Sequence, residues 1–202
     1  MRNLLIAIVL LFFINASVVS LYRVASASME DTLLVGDTFL MLNFWYGLRL
    51  PFMDEPVIPG FEPEADDILV FRAPMNTGEI YVKRCAAAGG QIVEVIEKRL
   101  YVDSKQVPLP PRGKNADPRV ILAGSDTGGR RDFHPRTVVP DSAVFVLGDN
   151  RDFSADSRMW GVVPNENLLG RLGIVLFSID PEAAWIDIGH KIRWDRFLRR
   201  VK

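Results

Sequence analysis

The sequence predicts a mainly β fold: an N-terminal transmembrane helix followed by a β-rich core that carries a smaller β or irregular insertion. Three observations point there. Leu4 to Tyr22 runs nineteen residues without a charge, and as a helix rising ~1.5 Å per residue it spans roughly the ~30 Å hydrocarbon core of a bilayer. Beyond it, short runs of Val, Ile, Leu and aromatic residues alternate with Gly, Pro, Asn and Asp, the pattern of paired strands joined by turns. Pro108 to Asp141 breaks that rhythm with Pro, Gly and charge, which marks an excursion from the core.

Composition narrows the chemistry. The chain has 202 residues, 49% of them apolar, enough for one membrane segment and one folded domain. A net charge of -1 supplies no concentrated basic surface, so nucleic acid is not an expected partner. Cys85 is the only cysteine, which excludes an intrachain disulfide, a Cys-rich zinc site and a redox pair. With only His134 and His190, a His-rich metal site is not expected either. Hydrolytic chemistry, if present, falls to Ser, Lys, Asp or Glu, with no cofactor and no metal.

In chain order, the apolar run ends at Ala25-Ser26-Ala27-Ser28-Met29, and two readings compete there. Ala25-Ser26-Ala27 is an A-x-A pattern of the kind cut at the end of a secretory signal, whose ~7–15-residue apolar core Leu4 to Ile14 would satisfy. The mature chain would then be an exported β-rich envelope or binding protein. The full span favours a retained anchor, and Arg2 with the terminal amine favours an amino terminus inside the cell despite Arg23. Next, Thr32 to Leu42 reads as a hairpin or corner around Gly36-Asp37. Pro51 to Ala65, with four prolines, reads as an exposed loop. Asp67–Phe71 and Glu79–Arg84 are expected to pair across Pro74, Asn76 and Gly78, and Gln91–Glu97 and Arg99–Val102 to follow as strands before a turn at Asp103-Ser104-Lys105. Ala143–Leu147 and Leu168–Ser178 complete the expected strands. Lys191 to Lys202 sets six basic residues against Asp195 and reads as a solvated basic end, or functionally as a contact for anionic lipid headgroups.

A serine hydroxyl is a weak nucleophile at neutral pH and needs a neighbour to take its proton. Neither histidine lies in a stretch that recommends it. A lysine can serve only when neutral, with its pKa brought from ~10.4 toward 8 by removal from water. Lys83 fits, lying between Ile80-Tyr81-Val82 and Cys85-Ala86-Ala87-Ala88 with no acid nearer than Glu79 or Glu94. On a strand, Arg84 would point to the opposite face and its charge would help lower the lysine pKa. The alternative is an exposed strand lysine, the usual state of that residue. Gly148 to Arg158 is denser: its Asp and Arg residues suit bidentate pairs that fix a loop, and Ser154 or Ser157 could steer a neutral amine. Asn150, Asp152, Ser154 and Asp156 alternate as in a calcium loop, but Ala155 and Gly161 stand where that loop needs glycine and a bidentate glutamate.

Taken in order, these stretches resemble the bacterial type I signal peptidases, membrane-anchored Ser-Lys endopeptidases. Ser26-Ala27-Ser28-Met29 with Thr32-Leu33 resembles the nucleophile box, and Tyr81-Val82-Lys83-Arg84 the lysine box. Gly148-Asp149-Asn150-Arg151-Asp152 with Ser154-Ala155-Asp156-Ser157-Arg158 resembles the last and most specific box. The resemblance implies Ser28 as nucleophile, Lys83 as general base, Ser26 with the Ser28 backbone N–H as oxyanion donors, and Ser154 as the hydroxyl orienting Lys83. Gly148, Asp149, Asn150, Asp156 and Arg158 would brace the site. It further implies an anchor over 1–24, a β-rich catalytic core over 25–107 and 141–202, and an insertion or small subdomain over 108–140. The implied setting is the bacterial plasma (inner) membrane, crossed once, with the catalytic domain on the outer face and preprotein signal peptides and membrane lipid as partners. The chain departs from the family pattern at Asp31, where the family usually has proline, at Ala25, where it often does, and at Ala88-Gly89-Gly90-Gln91, where it usually has Leu-Pro-Gly-Asp.

Overall fold

The computed structural model describes Asn3 and residues 18–49, 56–76, 78–122, 129–184 and 186–201. Among them the strands run β1 (Val19–Arg23), β2 (Asp37–Leu42), β3 (Ile68–Arg72), β4 (Ile80–Ala87), β5 (Ile92–Ile96), β6 (Arg99–Val102), β7 (Lys105–Val107), β8 (His134–Val138), β9 (Ala143–Leu147), β10 (Val163–Pro164), β11 (Leu168–Ser178) and β12 (Arg199–Arg200). From residue 18 on, the helices among the described residues are three four-residue pieces, α1 (Gly129–Asp132), α2 (Ser157–Trp160) and α3 (Ile188–Lys191), and short 3-10 turns. The mainly β expectation holds.

The expected membrane helix is corrected at its C-terminal end. Residues 4–17 of that span lie outside the described residues, and no helix among the described residues is long and apolar enough to cross a membrane. Val19–Arg23 is extended and pairs antiparallel with β2, Val19 opposite Leu42 and Arg23 opposite Thr38. The neighbouring strand supplies the hydrogen bonds a helix would otherwise make within itself, and Tyr22 stacks on Phe39 across the pair at 6.1 Å. The expected Thr32–Leu42 hairpin is corrected with it. The Thr32 and Leu33 N–H groups donate to the Met29 carbonyl at 3.1 and 2.7 Å, closing a turn, so only Asp37–Leu42 is extended.

Two compact units divide the chain. One gathers the described parts of Met1–Val24, Gly36–Glu62 and Leu169–Val201, in which β1, β2 and β11 lie side by side and β12 pairs with β11. Asp37 is fully buried here and is held bidentately by Arg196, Nε to Oδ1 at 2.8 Å and the second nitrogen to Oδ2. The basic tail is therefore not simply solvated: Arg196 is buried against that carboxylate, and buried Lys191 donates to the Ala183 carbonyl at 2.6 Å. Ile186, Ile188, Trp194, Phe197 and Leu198 stay exposed, Ile186 at 96%.

The other unit comprises Ala25–Val35 and Pro63–Leu168. Its first sheet runs β3-β4-β9-β10 and its second β7-β6-β5-β8, antiparallel throughout. The β3–β4 pairing expected from sequence is present, with Leu69 opposite Lys83. The β5–β6 and β6–β7 turns use Glu97-Lys98 (φ 48° and 68°) and Asp103-Ser104 (φ 50° and 65°), both residues of each in the left-handed region that tight hairpins require. Ala87, Val93, Val95, Leu100, Phe145 and Leu147 from both sheets form one apolar core, the main driving force for folding such a unit. The stretch expected to be irregular contributes a strand: β8 pairs with β5, Ile92 opposite Val138.

Candidate active site

Ser28 sits in a 3-10 turn, Ala27–Met29, entered from an extended Ser26 (φ -128°, ψ 153°). The Glu30 N–H closes the turn on the Ala27 carbonyl at 3.1 Å, and fully buried Leu33 with nearly buried Met29 anchors it in the unit. The loop after β9 holds its other side. The Asn150 backbone N–H donates to the Ser28 carbonyl at 3.0 Å, and Asn150 Nδ2 donates to the Ala27 carbonyl and to Glu30 Oε2, each at 3.2 Å. Gly148 makes this approach possible: a Cβ there would lie 2.5 Å from the Ser28 carbonyl oxygen and 2.2 Å from Ser154 Oγ.

Strand alternation sets the cations of β4 on opposite faces. Lys83, only 5% exposed, has its Nζ hydrogen-bonded to Ser28 Oγ and 5.7 Å from the centroid of the Tyr81 ring. Arg84 engages Asp149 in a fork, Nε to Oδ1 and the second nitrogen to Oδ2, both 2.8 Å, and Thr32 Oγ1 donates to the same carboxylate at 2.6 Å. Burial pushes the Lys83 pKa down from 10.5 to about 8; Asp156 opposes the fall, Arg158 adds to it, and Asp149 opposes it again. The helping cation is thus Arg158, where the sequence pointed to Arg84, whose charge is met by Asp149.

Asp156 is fully buried and accepts from Arg158 Nε and a terminal nitrogen at 2.8 Å each and from the Gly148 N–H at 3.0 Å. Burial alone would raise its pKa, but the Arg158 charge and these hydrogen bonds hold it below the usual carboxylate range. Arg158 also donates to the Arg131 and Arg151 carbonyls at 2.6 and 2.5 Å, tying the loop across itself and to α1. Ser26 is exposed, with Oγ 3.2 Å from Ser28 Oγ. The Ser154 hydroxyl is buried against Gly148 and makes no hydrogen bond to Lys83, although it stands near enough to Asp156 to help lower that carboxyl's pKa.

Sequence reasoning missed Thr32 and Lys114 as supports. Thr32 had a signal, its place beside the serine stretch; Lys114 had none, being drawn in from the excursion. The Lys114 N–H donates to the Asp149 carbonyl at 2.9 Å, its carbonyl accepts from the Arg151 N–H at 3.0 Å, and its ammonium pairs with Glu30 and Asp31 at 2.9 Å each. The departures from the family pattern acquire physical content. Asp31 has φ 72°, which a proline ring cannot adopt, and a Cβ on Gly89 would lie 2.4 Å from the Asp141 carbonyl oxygen, so a proline cannot occupy that site on this backbone either. Neither histidine joins the site: His134 packs on Phe145 at 5.0 Å, and exposed His190 pairs with Asp187 at 2.7 Å. Burial pushes the Cys85 thiol up to about 12, which keeps it a packing residue.

The site thus sets a serine hydroxyl against a buried, pKa-lowered lysine carried by an antiparallel sheet. The chain belongs to the family described as signal peptidase, peptidase S26, whose model matches residues 1–177. It is similar to signal peptidase I of Pseudomonas aeruginosa, 34% identical over 182 residues, and of Pseudomonas fluorescens, 32% over 184; each alignment covers 78% of this chain and 64% of the relative. Signal peptidase I of Aquifex aeolicus is 30% identical over 227 residues, covering 87% of this chain and 82% of the relative. Among solved structures, a signal peptidase I from Enterococcus faecalis is 26% identical with a TM-score of 0.39, covering 55% of this chain and 97% of that one. The chain thus spans just under two thirds of the length of the two Pseudomonas relatives.

Proposed function

We propose that the chain is a membrane-anchored serine endopeptidase that removes N-terminal signal peptides from exported preproteins, cutting after small residues at the outer face of the bacterial plasma membrane. The observation that carries this reading is the hydrogen bond between Lys83 Nζ and Ser28 Oγ in a site where burial brings the lysine pKa to about 8. As a neutral amine, Lys83 accepts the Ser28 proton while Oγ attacks the scissile carbonyl. The oxyanion is met by the Ser26 hydroxyl and the Ser28 backbone N–H, donors each worth ~2.7–4 kcal/mol in the transition state. Lys83 then passes its proton to the leaving amine and activates the water that hydrolyses the acyl-enzyme. Ser154 acts on the amine through its neighbour Asp156 and not by a direct hydrogen bond, while Gly148, Asp149, Asn150, Asp156 and Arg158 keep the serine turn and the lysine in register. Residues 108–140 serve as an insertion on the core, tied to the site through Lys114.

The rival reading, an exported protein cut after Ala27, would discard β1, which pairs along its whole length with β2. The test is cleavage of a preprotein with an alanine-ended signal by the full chain in detergent. Ser28→Ala and Lys83→Ala are each expected to lose at least about 100-fold, the low end of general-base contributions, while still melting cooperatively. Cleavage by both variants at the wild-type rate would overturn the assignment.

A further inference from the structure

Of the arginines at the Gly148–Arg158 loop and its β4 neighbour, Arg84 forks with Asp149 and Arg158 with Asp156. Arg151 is left over. It is 6% exposed, its Nε is fully buried without an acceptor, and no hydrogen bond or ion pair holds its guanidinium among the described residues. A buried cation without a counter-charge is costly, and buried polar groups in folded proteins ordinarily have partners. Burial lowers its pKa to about 10, so it still carries its charge at neutral pH.

Arg151 lines a pocket of about 180 Å³ together with Arg84 and Asp66, walled by Leu100, Val107 and Pro110. Arg84 and Ala86, the β4 residues that alternate with Lys83, face this pocket. Because Arg84 is committed to Asp149, Arg151 is the cation of this lining that lacks a paired carboxylate. Exposed Asp66 adds a negative charge that works against a dianion, so the site favours a monoanion. A guanidinium matches a carboxylate's two oxygens, and the apolar wall suits a short hydrocarbon stem.

We infer that this pocket is a binding site for a small monocarboxylate, with the Arg151 guanidinium on the carboxylate and Leu100, Val107 and Pro110 on its apolar stem. The site is independent of the peptidase reading, since it is tested by binding and not by cleavage. The full chain in detergent is titrated with sodium butyrate against sodium chloride at equal ionic strength, with butyramide as the neutral isostere, and the melting temperature is followed. Butyrate is expected to raise it saturably and butyramide not. Arg151→Gln should weaken the apparent Kd by about tenfold or more, the scale of a lost charge-assisted pair. Val107→Trp, which keeps the arginine and fills the pocket, should do the same. Acetyl-Val-Ala against its C-terminal amide separates the two sources of such a carboxylate: tighter binding than butyrate by the free acid alone identifies a peptide terminus, and weaker binding a free short-chain acid. An equal response to butyrate and butyramide, or butyrate binding unchanged in both variants, overturns the inference.

Discussion

Lys83 has to be basic enough to take a proton and yet spend part of its time without one, and its surroundings set that balance. Burial lowers its pKa to about 8 against the upward pull of Asp156 and Asp149. Since the neutral form is the proposed base, kcat/KM should rise with pH to half its plateau near pH 8, which a pH–rate profile checks. Stability follows the same group. Between about 8 and 10.5 the unfolded chain holds the lysine proton and the folded chain does not, so folding gains stability as pH rises through that window. Below it, both states are protonated and the folded state carries the whole cost of a buried charge, on the order of 3 kcal/mol. Lys83→Met should therefore melt several degrees higher than wild type at about pH 6, an advantage that shrinks by about pH 10. The apolar neighbours of Lys83 were readable in the sequence because they are local. Asp149, Asp156 and Arg158 act on it from more than sixty positions away in the chain, and the isolation of Arg151 is visible only once its neighbours have paired with one another.

At the scale of elements, the site is the meeting of a 3-10 turn, one strand and one loop, and Gly148 is where the loop comes closest. Gly148→Ala would put a methyl into the Ser28 carbonyl and the Ser154 hydroxyl. We expect a loss of about 1–3 kcal/mol, as for other overpacked sites, by denaturant unfolding, with a fall in kcat larger than any rise in KM because the displaced atoms support the serine itself. Strands β3, β4, β9 and β11 were legible from their β-branched and apolar runs. Strand β1 was not, because Val19-Ser20-Leu21-Tyr22 continues an apolar run without a break in pattern that would separate strand from helix. Strand β8 was hidden for the opposite reason: His134-Pro135-Arg136-Thr137-Val138 has little apolar alternation and contains a proline, and only pairing with β5 makes it extended.

For the molecule as a whole, the exposed side chains of residues 186–198 bear on the proposed contact with a membrane. Exposed Trp194 (64%) and Phe197 (60%) stand beside basic Arg193 and Arg200, the combination of aromatic and cationic groups that suits an anionic membrane surface. With the full chain in anionic vesicles containing brominated lipid, Trp194→Phe should lower the quenchable fraction of tryptophan emission; an unchanged fraction would place that side chain in water. The Asp37–Arg196 fork carries a different consequence. Its partners are 159 positions apart, so at ~5–20 residues per second a ribosome takes roughly 8–30 s to deliver the arginine after the aspartate. Strand β2 can pair with β1 in that interval, but burying its carboxylate must wait for the tail. The unit built on β1 and β2 is thus among the first parts of the described chain to be translated and among the last to be completed, and a nascent chain that stalls before Arg196 would hold the Asp37 carboxylate without the guanidinium fork that grips both its oxygens.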